Sequence, residues 1–206
     1  MLKLCVAGAA GKMGSTVLRE AASKGFQIVG VTEAPNNACV GKSLRELGIC
    51  ESDTKITSSD NISEAVKDAD VYITFTTPVA EVQNIPVVAG LGKRIVLGTT
   101  GFTEEQNRQV REAVQGKVPA VFSPNYSVGV NILFQLAKAL KAFPQEYNFS
   151  ISEIHHAGKK DAPSGTAKKL GEIIASTRGY STIIHGREGI SPRKPEELEI
   201  SALRAG

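Results

Sequence analysis

Val6-Ala7-Gly8-Ala9-Ala10-Gly11-Lys12-Met13-Gly14 decides how this chain is read. Ahead of it, Leu2 to Ala7 is a short apolar run. Behind it, Met13, Val17, Leu18 and Ala21 recur at helical spacing, so the stretch predicts strand, tight turn and helix. Glycines let such a turn approach a pyrophosphate closely, and the helix that begins there offers unpaired N–H groups and the positive end of its dipole. The spacing is GxxGxxG rather than the commoner GxGxxG. Gly25 closes the helix, Gln27 to Thr32 reads as a second strand, and Glu33 stands at its end, 19 residues beyond Gly14. A carboxylate there accepts hydrogen bonds from an adenosine ribose, so residues 1–33 form one βαβ unit with a dinucleotide site. NADP needs a cation for its 2′-phosphate; Ala34 follows Glu33 and Lys12 is the one local candidate, so NADH is expected to be favoured over NADPH.

The same grammar continues to residue 123. A short helix over 62–69 precedes the strand Val71 to Phe75, a helix around 79–91 precedes Arg94 to Leu97, and a charged helix over 103–115 precedes Ala120 to Phe122. Five strands separated by helices or loops predict an α/β fold, a Rossmann-type doubly wound parallel sheet. Beyond Ser123 the pattern changes. A long helix over about 128–142 leads to strands near 149–154, 181–185 and 198–203 with polar connections, which predicts an α+β domain with an open mixed sheet. The expected division is 1–125 for the dinucleotide-binding domain and 126–206 for the second.

Composition narrows the function classes. In 206 residues, 24 basic side chains against 21 acidic ones leave +3, too slight for a nucleic-acid footprint. No run approaches the roughly 18 apolar residues of a membrane span, and Met1 to Ala7 is too short for a signal peptide, so a cytoplasmic protein is expected. Cys5, Cys39 and Cys50 have neither metal-like nor CxxC spacing and read as reduced thiols.

Two further turns, Phe75-Thr76-Thr77-Pro78 and Gly98-Thr99-Thr100-Gly101, follow strands at the carboxyl edge of the sheet. Their backbone suits the lining of a nicotinamide site, and ordinary turn chemistry explains them equally well. The densest chemistry lies between Glu153 and Thr166, where two of the three histidines fall. Pro163-Ser164-Gly165-Thr166 opens a helix over 167–175, so free N–H groups and two hydroxyls form an anion cradle beside lysines, suited to a dicarboxylate. His155 is placed to donate or relay a proton, and Lys159 to pair with a carboxylate or protonate a carbanion. The plainer alternative is a partly buried histidine with solvated surface lysines. Adjacent histidines diverge and His185 stands in no ligand motif, so no metal site is expected.

Taken in order, VAGAAGKMG (6–14), FTTP (75–78), GTTGF (98–102), SPNYSVGVN (123–131) and HHAGKKDAPSGTA (155–167) resemble the motif series of the dihydrodipicolinate reductase family. The resemblance implies hydride transfer from NADH or NADPH to an unsaturated cyclic imine dicarboxylate, giving tetrahydrodipicolinate in lysine and diaminopimelate biosynthesis. It implies that Gly8, Ala9, Ala10, Gly11, Lys12, Met13 and Glu33 hold the cofactor, with Gly98, Thr99, Thr100, Ser123, Pro124, Asn125 and Tyr126 near its nicotinamide end. His155 matches the proton donor or acceptor and Lys159 the proton donor, while His156, Gly165 and Thr166 match the substrate-carboxylate site. It further implies a second domain that also assembles a homotetramer. Two positions depart from the family pattern: Ala34 and Thr77 stand where Arg is common. Family members also continue beyond Gly206 with further strands and a helix, so the second domain is expected to be incomplete at its C-terminus. The competing expectations are another two-domain Rossmann dehydrogenase acting on an amino acid or sugar, which does not predict HHAGKK before DAPSGT, and a protein that senses NAD(P) without turnover.

Overall fold

Strand β1 (Lys3–Ala7) is buried from Leu4 to Ala7, as a central strand covered on both faces must be. The computed structural model describes residues 1–206 as two units, Met1–Ser123 and Pro124–Gly206. In the first unit, β1 leads into α1 (Lys12–Ser23) and β2 (Gln27–Glu33). Next come β3 (Thr57–Ser58), a 3-10 turn at Ser59–Asn61, α2 (Ile62–Val66), β4 (Val71–Thr74), α3 (Pro78–Gly90), β5 (Arg94–Leu97), α4 (Glu104–Val114) and β6 (Ala120–Phe122). The sheet runs β3-β2-β1-β4-β5-β6 with every pair parallel. The chain direction across the sheet reverses between β1 and β4, the switch point at which ligands bind in such sheets.

Helices cover both faces. Leu18 of α1 packs with Val6, Val31, Leu44, Ile49 and Ile56, and on the opposite face Ile62, Val66, Ile85, Val88 and Val110 pack with Cys5, Tyr72 and Ile95. Burial pushes the Cys5 thiol up to about 12, so it stays a neutral core group. The sheet has six strands where five were expected. β3 is two residues long, too short to carry a period, and it forms because Thr57 and Ser58 pair with Thr32 and Glu33. Residues 34–56 hold turns and one isolated bridge between Ser43 and Lys55, yet they bury Leu44, Ile49 and Ile56 in place of a helix.

In the second unit α5 (Val128–Lys138) is capped by the Ser127 side chain and tightens into a 3-10 turn at Ala139–Ala142, so the expected single helix over 128–142 ends four residues early as an α-helix. It is followed by β7 (Ser150–His155), α6 (Gly165–Arg178), β8 (Thr182–Ile184) and β9 (Glu197–Arg204). Ala137, Ile151, Ala167, Ile174, Leu198 and Ile200 form the core between helices and sheet. The sheet runs β7-β9-β8 and both pairs are parallel, which corrects the expected mixed sheet. The polar connections resemble hairpin loops in composition. α6 is nevertheless a crossover, and the stretch at 185–196 is long enough to bring the chain back so that Glu197 lies beside Thr182.

Candidate active site

At the switch point the first unit opens into a cleft of about 520 Å³ whose lining includes Gly8, Ala10, Gly11, Glu33, Thr76 and Thr77. The turn below it is packed to the limit. A Cβ on Gly14 would lie 1.9 Å from the Gly8 carbonyl oxygen, and Gly8 itself has φ +75°, so both positions require glycine. Ala9 is buried and donates its N–H to Thr32 O at 3.2 Å, while Lys12 and Met13 begin α1 exposed. The N-cap of α1 is Gly11, which supplies no side-chain acceptor, so the first N–H groups of the helix remain open to an anion. The Glu33 carboxylate accepts from the N–H of Ala10 and of Ala34, each at 3.0 Å, which fixes it at the rim of the glycine turn. A turn stripped of side chains, an uncapped helix end and an anchored carboxylate fit a dinucleotide.

Behind Thr76 and Thr77 lies a group that the sequence motifs do not announce. Glu81 on α3 is fully buried, and it accepts hydrogen bonds from the hydroxyls of Thr74 (2.6 Å), Tyr72 (3.3 Å) and Thr76. Burial pushes its carboxyl up, outweighing the hydroxyl hydrogen bonds that act in the other direction. Thr76 also donates its N–H to Thr99 Oγ1 at 3.0 Å, so Glu81 holds the turn that connects the cleft to the Gly98–Thr100 segment. Gly98, Thr99 and Thr100 follow β5, Thr99 buried and Thr100 exposed. Ser123 follows β6 and donates its N–H to Leu97 O at 3.3 Å.

The second unit begins with Pro124, Asn125 and Tyr126. Asn125 donates from Nδ2 to Thr166 Oγ1 at 3.1 Å, joining the start of the unit to the first turn of α6, where Gly165 also lies. Strand alternation puts Glu153 and His155 of β7 on one face. Ser164, the N-cap of α6, donates its N–H to Glu153 Oε1 at 2.7 Å and its hydroxyl to Glu153 Oε2, while accepting from the N–H of Ala167. Partial burial works against the Glu153 carboxylate, but these bonds hold its carboxyl below the ordinary value. His156 is exposed, and its carbonyl accepts the Lys159 N–H at 3.1 Å, which turns the chain back. The Lys159 ammonium pairs with Asp161 at 2.7 Å, and Arg204 at the end of β9 donates to the carbonyls of both Lys159 and Asp161. The loop therefore presents His155, Lys159, Gly165 and Thr166 on a backbone fixed at both ends. Glu153 was legible only as part of the motif; its contact with Ser164 spans a strand and a helix start.

The strand order and the glycine turn define a nucleotide-binding module of the kind found in nicotinamide-dependent oxidoreductases. Comparison with known proteins is more specific. The family profile "Dihydrodipicolinate reductase, N-terminus" matches residues 2–126, and "Dihydrodipicolinate reductase, C-terminus" matches residues 129–206. The chain is 38% identical to a 4-hydroxy-tetrahydrodipicolinate reductase of Methanocaldococcus jannaschii, with all of this chain and 78% of that one covered. It is 41% identical to the protein of the same name from Methanosarcina barkeri, covering all of this chain and 79% of that one. Among solved structures, the dipicolinate-bound dihydrodipicolinate reductase from Paenisporosarcina sp. TG-14 shares the fold, with TM-score 0.68, 24% identity and 99% of this chain and 79% of that chain covered. The chain belongs to the dihydrodipicolinate reductase family.

Proposed function

We propose that this protein reduces 4-hydroxy-tetrahydrodipicolinate to tetrahydrodipicolinate in lysine and diaminopimelate biosynthesis, with NADH favoured over NADPH. The observation that carries the reading is the fixed loop of the second unit, in which a partly exposed histidine, a lysine and the first turn of α6 stand on one short stretch of chain. Gly8 to Met13 and Glu33 would hold the dinucleotide, which supplies a hydride when bound. His155 carries the proton that moves to or from the substrate, and Lys159 supplies a second proton from its ammonium. His156 and the N–H groups of Gly165 and Thr166 bind the substrate carboxylates, with Asn125 fixing the Thr166 hydroxyl.

The preference for NADH rests on charge. The cleft is lined by Glu33 and Asp60 and by no lysine or arginine, so a 2′-phosphate would sit beside carboxylates without a counter-ion. Self-association into a homotetramer is supported by Ile154 and Leu203, paired across β7 and β9 and exposed on the face of the second sheet. A cytoplasmic location is supported by three free thiols at Cys5, Cys39 and Cys50; no helix is long and apolar enough to cross a membrane.

The test is oxidation of NADH with substrate generated in situ from pyruvate and aspartate semialdehyde by a synthase. His155→Ala and Lys159→Ala are each expected to lower kcat about 10²- to 10⁴-fold. Unchanged rates in both variants sink the reading. A hundredfold preference for NADPH in kcat/KM overturns the cofactor assignment alone.

A further inference from the structure

His155 carries an unexplained atom. Its Nδ1 is buried and has no hydrogen-bond partner, although the side chain as a whole remains 34% exposed, which leaves Nε2 as the nitrogen open to a substrate. A buried polar atom without a partner is destabilising. The group facing it is Glu153 Oε2, at 3.7 Å. The Glu153 side chain is only 10% exposed and cannot swing away, because Ser164 grips it through both its N–H and its hydroxyl. The His155 backbone is equally fixed: its carbonyl accepts the Ala205 N–H at 2.9 Å, and β9 sets Arg204 beside it in register. Hydrogen bonds of catalytic groups are often long before substrate is bound and contract afterwards.

We propose that Glu153 is the positioning residue of His155: its carboxylate, latched by Ser164, accepts the Nδ1 proton, fixes the ring, and leaves Nε2 as the atom that exchanges a proton with substrate. The inference rests on His155 being the proton-transfer residue. Charge supports the arrangement, since the carboxylate stabilises the imidazolium that forms when Nε2 takes a proton. The charged groups facing the pair are Arg204 from β9 and, at the N-terminus of α6, the dipole end behind Ser164. Ser164 has a second task as the cap of the helix whose first turn holds Gly165 and Thr166.

The test combines kinetics with a readout that needs no turnover. In the 206-residue protein, the ¹⁵N signature of neutral His155 is expected to show the proton on Nδ1, and Glu153→Gln is expected to shift the population toward Nε2–H. Glu153→Gln should lower kcat about 10- to 100-fold with KM changed less than about threefold, Glu153→Asp should recover part of that loss, and Glu153→Gln added to His155→Ala should cost nothing further. A bare Nδ1 in the unmodified protein overturns the inference even where Glu153→Gln fails to fold. Full activity in Glu153→Gln, or losses that multiply with His155→Ala, also overturns it. If His155→Ala is itself fully active, the failure lies instead with the assignment of His155.

Discussion

Each unit buries one charged side chain with no counter-ion, and the two are handled in opposite ways. In the first, Glu81 is surrounded by the hydroxyls of Tyr72, Thr74 and Thr76. In the second, Arg178, the last residue of α6, is 7% exposed. It donates from Nη1 to Leu140 O (3.1 Å) and Phe143 O (2.6 Å) and from Nη2 to Pro144 O (2.7 Å) and Tyr147 O (3.4 Å), with its Cζ 5.1 Å from the centre of the Phe149 ring. A carboxyl sheds its charge by taking a proton, and burial pushes Glu81 in that direction. A guanidinium keeps its charge at every pH at which a protein stays folded, so its surroundings must supply acceptors permanently. The two units are therefore adjustable in different ways. Glu81 organises the hydroxyls behind the cleft, and its own charge depends on pH. Arg178 organises backbone, and ties the connection at 140–147 to the end of α6 irrespective of pH.

The largest expected effect is at Arg178. Arg178→Met leaves the Phe143 and Tyr147 carbonyls without a partner, since those of Leu140 and Pro144 also accept backbone N–H groups, and removes charge-assisted hydrogen bonds, at a cost of about 3 kcal/mol in urea unfolding. Arg178→Lys should recover less than half of it, because a single ammonium cannot span four carbonyls. A loss below about 1 kcal/mol in Arg178→Met would mean that the carbonyls find water instead. Next comes Glu81→Ala, which leaves hydroxyls without their acceptor and costs about 1–3 kcal/mol, with NADH affinity, read by fluorescence titration, falling as the Thr76 turn loosens. The smallest effect is the pH dependence of Glu81→Gln. The folded carboxyl lies above its ordinary value, so its stabilising share is complete below the ordinary carboxylate range and is lost as pH rises through the folded value. The stability of Glu81→Gln relative to the unmodified protein, read by urea unfolding, should therefore increase as pH rises above the ordinary carboxylate range. A difference independent of pH would show that Glu81 stays ionised.

Much of the first unit was legible because its elements announce themselves locally. The helix expected after the glycine turn is α1, and the strands at Val71, Arg94 and Ala120 lie where apolar runs end in Gly, Thr or Pro turns. β3 and the 34–56 segment were not legible, since two paired residues carry no period and Leu44, Ile49 and Ile56 are buried by position rather than by pattern. The parallel direction of the second sheet is not legible in the sequence, because strand direction depends on where a connection returns, and composition does not encode that. At the candidate sites, Gly8, Gly11, Glu33, His155 and Lys159 stood out as residue types in context. Glu81 did not, because a glutamate in a helix normally faces water and only the packed sheet places it inside.

By itself, the sequence determined the glycine turn with its ribose-distance acid, the order of strands and helices to residue 123, and the motif series that marks the family. These are properties of neighbours along the chain, where steric freedom at glycine, helical period and capping act over a few residues. Only the tertiary structure decided which way the strands of the second sheet run, which side chains share a proton or a carbonyl, and that Glu153 faces the buried nitrogen of His155. Those depend on contacts between residues distant in sequence, such as Ser164 with Glu153 or Arg178 with Leu140, and a contact of that kind exists only once the chain has closed on itself.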